Sequence, residues 1–169
     1  WDNAYCVHHL TDTHDVILNM LEECRKAGHE DRALMFCSLS KVTFPGAGVA
    51  AMAASRRNID YILKNMFPMI ISFDKLNQVR HIRFLKDMDG LAAHMEKHRA
   101  LLEPKFRAVL AILDEGLSGC GSIARWTKPN GGYFLSLYTL GGCAKRTVQL
   151  CREAGVVLTD AGAAYPYGV

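Results

Sequence analysis

One stretch limits what this chain can fold into more than any other: Cys37-Ser38-Leu39-Ser40-Lys41-Val42-Thr43-Phe44-Pro45-Gly46-Ala47-Gly48, a lysine between an apolar run and a glycine-rich turn. Upstream, Ala33-Leu34-Met35-Phe36-Cys37 has the length of a buried strand, and downstream Val49-Ala50-Ala51-Met52-Ala53-Ala54 has it again. Lys41 is therefore expected in a loop joining two buried strands. Scarce water there would penalise its ammonium form and favour the neutral amine, a nucleophile toward carbonyls. Ser38 and Ser40 offer hydroxyls, while Gly46 and Gly48 let the backbone come close to an anionic group. These are the parts needed to hold a phosphorylated aldehyde as a Schiff base. A surface-loop lysine beside an ordinary turn has the same residue types, so a second signal is needed.

The N-terminus supplies it. Asp2-Asn3-Ala4-Tyr5 sets a carboxylate three residues before a phenol, well upstream of Lys41. Taken with Ser38-x-Ser40-Lys41 and Pro45-Gly46, this resembles the fold-type I pyridoxal-phosphate enzymes. The match is to class I/II aminotransferases, in particular a bacterial aspartate-aminotransferase-like subgroup, whose run after the lysine resembles Lys41-Val42-Thr43-Phe44 and Gly46-Ala47-Gly48-Val49. Pro129-Asn130-Gly131-Gly132-Tyr133-Phe134 resembles the small-domain signature of the same family, where the loop approaches the substrate. The resemblance implies an α/β fold: part of the large, mostly parallel-sheet cofactor domain over residues 1–89, then a linking helix and most of a small α+β domain over residues 90–169.

The resemblance also implies roles. Lys41 would form the Schiff base with pyridoxal 5′-phosphate and then act as general acid and base. Asp2 would keep the pyridine nitrogen protonated, Tyr5 would donate to the cofactor's phenolate oxygen, and Ser38, with Ser40 or Thr43, would bind phosphate. One departure stands out: many members carry an arginine seven or eight residues after the lysine, where this chain has Gly48 and Val49. Arg56 and Arg57 are the nearest candidates for that positive charge. The implied activity is amino transfer between an amino acid, with aspartate as the expected donor, and a 2-oxo acid, with 2-oxoglutarate as its partner, in a homodimer. Two alternatives use the same residues: a carbon-sulfur or β-elimination lyase, and an aminotransferase-like sensing module of a transcriptional regulator.

Length and composition agree with a globular protein. At 169 residues, half of them hydrophobic, the chain can bury a core. It begins at Trp1, with its first motif at the second residue, and ends in what reads as mid-loop, so a fragment is expected, inactive alone. The family's arginine for the substrate carboxylate would lie beyond Val169, and its phosphate-cradling turn before Trp1. A formal charge of +3 with interspersed signs implies neither a nucleic-acid nor a membrane partner. Six scattered cysteines, with no C-x-x-C pair, fit reduced thiols in the cytoplasm.

Periodicity predicts helices over residues 14–27, 56–66, 74–86, 89–113 and 144–154, with Asp74 as an N-cap and Pro104 expected to kink or divide the fourth. The first of these, set between the Asp2 segment and the 33–37 run, predicts a parallel-sheet unit. Residues 123–126 and 133–138 are expected to pair around a tight Asn-Gly loop, and residues 156–158 to form an edge strand. His8, His9 and His14 lack a third metal ligand at suitable spacing. His94 and His98, one turn apart, are read as a solvated helical face, and His81 likewise. No metal site is expected.

Overall fold

The structure is a computed structural model that describes residues 1–160 and 162–168. Strands β1 (Leu34–Ser38) and β2 (Ala50–Ala54) carry the lysine turn between them. They pair antiparallel in unbroken register, Leu34 opposite Ala54 and Ser38 opposite Ala50. The two apolar runs are thus strands, but residues 39–49 return the chain directly, without the crossover that a parallel pair needs. Parallel pairing occurs where it was expected, between the Asp2 segment and the 33–37 run, with a bridge joining Asp2 to Phe36. There the Asn3 N–H donates to the Phe36 carbonyl at 2.7 Å, and the Phe36 N–H donates to the Trp1 carbonyl at 2.9 Å. The expectation of two buried strands is corrected: both are at most half-buried, with Phe36 and Cys37 exposed. Helices α1 (Met20–Lys26) and α2 (Arg56–Met66) touch this pair at β1 and β2 respectively and leave those residues uncovered.

Caps decide where the helices start. α1 begins at residue 20, later than the expected 14, because Asn19 is the first residue to cap it, accepting from the Glu22 N–H at 3.3 Å. Val16 and Ile17, expected on its apolar face from sequence, lie exposed ahead of it. Gly28, at φ +73°, closes the helix. α2 has the predicted bounds and is capped by Ser55, whose hydroxyl accepts from the Asn58 N–H at 3.2 Å. Helix α3 (Lys75–Leu85) starts at its predicted cap, Asp74, which accepts from the Asn77 N–H at 2.9 Å. Its buried side is not the apolar one: Asn77 and His81 are buried, whereas Leu76, Val79, Ile82 and Phe84 are exposed. The polar side turns inward because it supplies hydrogen bonds to the lysine turn.

Helix α4 (Met88–Leu117) runs through Pro104 as one assigned helix, so the proline does not divide it. The chain forms two compact units, and their boundary falls at that proline. The first comprises residues 1–104 together with 130–133. Its buried side chains, among the described residues, are Leu10, Ala33, Val42 and Met95 with His8, Asn77 and His81. The second unit holds residues 105–129 and those from 134 onward. In it β3 (Ala124–Trp126) pairs antiparallel with β4 (Leu137–Thr139), and α5 (Ala144–Glu153) is closed by Gly155 at φ +88°. Asp114 accepts from Trp126 Nε1 at 3.2 Å and pairs with Lys128 at 2.7 Å, tying the end of α4 to the start of this hairpin.

Two strand expectations are corrected. Residues 133–136 are not strand, because residues 130–132 pair with the N-terminal segment instead of closing a tight hairpin. His9 bridges Gly131, the Leu10 N–H donates to the Asn130 carbonyl at 2.7 Å, and the Gly132 N–H donates to the His8 carbonyl at 2.8 Å. Gly131 is required at that approach, since a Cβ there would lie 2.7 Å from the His8 carbonyl oxygen. Residues 156–158 form no strand, having no partner strand among the described residues.

The α3 cap has a measurable consequence. Asp74→Ala should destabilise the full-length protein by about 1 kcal/mol, read as a lower urea midpoint with unchanged slope.

Candidate functional site: the lysine turn

Residues 39–43 form a tight turn, the Leu39 carbonyl accepting from the N–H groups of Val42 at 3.0 Å and Thr43 at 2.9 Å. Successive side chains diverge from such a turn. Val42 is 2 % exposed, while Lys41 beside it is exposed. The expectation of a lysine in a dry setting is thereby corrected: burial belongs to its neighbour, which anchors the turn.

The carbonyls of this turn are met by side chains. His8 Nε2 donates to the Lys41 carbonyl at 3.0 Å, and Tyr133 Oη donates to the same oxygen at 3.1 Å. His94 Nε2 donates to the Val42 carbonyl at 2.8 Å. Asn77 Nδ2 donates to the carbonyls of Ala47 at 2.6 Å and Gly48 at 3.2 Å. Thr43 Oγ1 lies 2.7 Å from His81 Nε2, and His81 Nδ1 donates to the Asn77 carbonyl at 2.9 Å. All three buried polar side chains, His8, Asn77 and His81, thus bind residues 41–48.

Acceptor chemistry orders the protons in this network. A carbonyl only accepts, so the Nε2 atoms of His8 and His94 carry hydrogens. His98 Nε2, 3.2 Å from His94 Nε2, must then be bare, which puts the His98 proton on Nδ1, facing Tyr133 Oη at 3.3 Å. Tyr133 in turn spends its own proton on Lys41. Burial, followed by the neighbouring rings of His94 and His8, pushes the His98 pKa below the ordinary histidine value. Burial, then Tyr5, pushes the Tyr133 phenol up.

His94 and His98 are therefore half-buried parts of the site and not a solvated face, and His81 is buried on the α3 side expected to be wet. The reason is the same in each case: ring nitrogens satisfy backbone and hydroxyl groups of the turn. From sequence these histidines are expected only as solvated groups or metal ligands. Their one local signal was the four-residue spacing of His94 and His98. Among the described residues, no group of three or more His, Cys, Asp or Glu side chains could hold a metal ion.

Of the residues singled out from sequence, Asp2 and Tyr5 line one cavity of about 290 Å³ together with His8 and Asn130. Asp2 Oδ1 accepts from the Ala4 N–H at 3.1 Å. The Tyr5 ring meets His8 edge-on at 5.5 Å and Tyr133 at 5.3 Å, the two residues that hold the Lys41 carbonyl. Ser38 and Ser40 lie together: the Ser38 hydroxyl donates to Ser40 Oγ at 2.8 Å and accepts from the Ser40 N–H at 3.1 Å. Lys41 lines neither that cavity nor the apolar one of about 320 Å³ beside Ser38 and Val42.

At Gly48, one of the two positions where the resemblance would put an arginine, there is little room for a side chain. A Cβ at Gly48 would lie 2.8 Å from Ser40 Oγ and 3.1 Å from Ser40 N, so any side chain there displaces the serine pair. Arg56 and Arg57 are both committed to carboxylates, Arg56 to Asp60 at 2.9 Å and Arg57 to Asp31 at 3.2 Å.

Two outcomes follow. Gly48→Ala should shift the Ser38–Ser40 pair and cost about 1–3 kcal/mol in urea unfolding. His98, with its folded pKa lowered, contributes stability that is complete above the unfolded value of about 6.5 and is lost as pH falls through the lower folded value. Acidification through that window should lower the unfolding midpoint of the wild type more than that of His98→Gln.

Comparison with known proteins places this turn in a family. The family profile described as aspartate amino-transferase matches residues 1–169. An aspartate aminotransferase of Corynebacterium glutamicum is 43 % identical over 166 residues, covering 98 % of this chain and 38 % of its own length. The crystal structure of an aspartate transaminase from C. glutamicum superposes with a TM-score of 0.92 at 42 % identity, over all of this chain and 40 % of that one. An α-aminoadipate aminotransferase from Thermus thermophilus, solved with N-(5′-phosphopyridoxyl)-L-leucine, shares the fold at a TM-score of 0.70 and 24 % identity, over 95 % of this chain and 40 % of that one. This chain thus spans about two fifths of the length of the proteins it matches. It belongs to the aspartate aminotransferase family.

Proposed function

We propose that the full-length protein is a pyridoxal-phosphate-dependent aminotransferase that moves an amino group from an amino acid, aspartate, to a 2-oxo acid, 2-oxoglutarate. The observation that carries this reading is the lysine turn itself: Lys41 stands exposed on a backbone pinned by His8 and Tyr133, the ring partners of Tyr5. The donor set fits the cofactor. Lys41 is the amine for its aldehyde, Asp2 the carboxylate for its pyridine nitrogen, and Tyr5 the phenol for its ring oxygen. Ser38 and Ser40, held in the narrow space that Gly48 leaves, offer hydroxyls to its phosphate.

When bound, the cofactor supplies an electron sink for the pair released from the substrate Cα–H bond. The chain's own residues do the rest. Lys41 would be the amine that holds the aldehyde and, once the substrate amine has taken its place, the base that takes up and returns the Cα proton. Asp2 would keep a proton on the ring nitrogen.

The same reading assigns residues 1–89 to the cofactor domain and residues 90–169 to a linking helix and small domain. It also assigns the protein to the cytoplasm, which its six free thiols support. A homodimer belongs to this reading on the strength of the family resemblance.

The test is to incubate the full-length protein with pyridoxal phosphate, reduce with borohydride and map the labelled peptide. Label is expected on Lys41. Lys41→Ala should lose it, together with more than about a thousandfold of the transamination rate. Label elsewhere, or none on a folded protein, would overturn the assignment.

A further inference from the structure

We propose that His8, His94, His98 and Tyr133 are positioning residues for Lys41: a one-directional hydrogen-bond relay that fixes the Lys41 and Val42 carbonyls and is released when His98 takes a second proton. The proposal rests on the reading of Lys41 as the reacting amine.

The relay has an order that leaves little freedom. His98 Nδ1 donates to Tyr133 Oη at 3.3 Å, and Tyr133 Oη donates to the Lys41 carbonyl at 3.1 Å, where His8 Nε2 also arrives at 3.0 Å. From the other end, the His94 Nε2 hydrogen is shared between the Val42 carbonyl at 2.8 Å and the bare His98 Nε2 at 3.2 Å. Two consecutive carbonyls are therefore held from three places in the sequence: the N-terminal segment, α4 and residues 130–133. Fixing both peptide planes on either side of the Val42 Cα limits the rotation by which the Lys41 Cα could tip, which is how a side chain four carbons long is kept on its target.

One proton reverses the arrangement. A second proton on His98 must sit on Nε2, where it faces the hydrogen of His94 Nε2 across 3.2 Å. Two N–H groups head to head repel, and the His94 bond to Val42 or the His98 bond to Tyr133 must open. The titratable groups facing His98 are His94 on its own helix, His8 and, behind it, Tyr5 on the N-terminal segment, and Tyr133 on the 130–133 segment, while His81 of α3 holds the turn through Thr43. The lowered pKa of His98 and the raised pKa of Tyr133 both agree with a relay that excludes charge.

The test is competitive acetylation of the cofactor-free, full-length protein between about pH 5 and 8, scoring Lys41 against Lys64, an exposed lysine on α2. The ratio cancels the general dependence of amine reactivity on pH. In the wild type it should change by about fivefold in a step that coincides with the titration of His98 followed by NMR. The step should vanish in Tyr133→Phe, which keeps the ring against Tyr5 and His8, and in His98→Gln. A wild-type ratio that is flat, a step more than about one pH unit from the His98 titration, or a step that survives in either folded variant would overturn the relay. The wild-type measurement decides even where a variant fails to fold. Borohydride capture at Lys41 tests the underlying reading separately, so loss of one does not mimic loss of the other.

Discussion

Satisfying the carbonyls of residues 41–48 is the constraint on which the first unit depends. These residues lie between two strands, belong to no helix, and surround the most buried side chain described, Val42. Backbone oxygens beside a buried residue must find donors, because each one left unmade costs about 1–3 kcal/mol. The chain meets that demand with side chains drawn from the N-terminal segment, α3, α4 and the 130–133 segment. Those elements are held to the turn as much by these bonds as by apolar contact. α3 makes the point most clearly, since it presents Asn77 and His81 inward and leaves its leucine, valine and phenylalanine outside.

That inversion explains which parts of the fold were legible in the sequence. α2, α3 and α5 could be bounded within a residue or so because their signals are local: Ser55 and Asp74 as caps, Gly155 as a stop. The lysine turn and its two strands were legible for the same reason. The parallel pairing of the Asp2 segment with the 33–37 run was legible too, because the helix between them makes the crossover. Other features that depend on a distant partner were not. Apolar runs imply burial only if something covers them, and Phe36 and Cys37 in β1 are exposed. The Pro129-to-Tyr133 stretch looked like a hairpin turn, yet its partner is the segment around His9, more than a hundred residues earlier.

The site divides in the same way. Asp2, Tyr5, Ser38, Ser40 and Lys41 could be named because their spacing resembles a family pattern. His8, Asn77, His81, His94, His98 and Tyr133 could not, because their only common property is proximity to one turn after folding. Histidine conceals such roles well. The same residue serves as ligand, solvated base or buried donor, and only the acceptor facing it tells which. Here the acceptors are carbonyls, which fixes three tautomers outright and a fourth by exclusion.

If Lys41 is the reacting amine proposed above, holding it by its backbone has a physical advantage over holding it by its side chain. Hydrogen bonds to Nζ would fix the amine but also occupy it, stabilising the ammonium form and competing with any carbonyl carbon it must attack. Bonds to the Lys41 and Val42 carbonyls leave Nζ uncommitted while still confining the Cα. The remaining freedom is that of the four-carbon stem, which a lysine needs if it is to act first as nucleophile and later as a base at a neighbouring atom. Gly48 fits the same logic. By leaving room for Ser40 it keeps two hydroxyls next to the turn, bonded to each other at the base of the lysine.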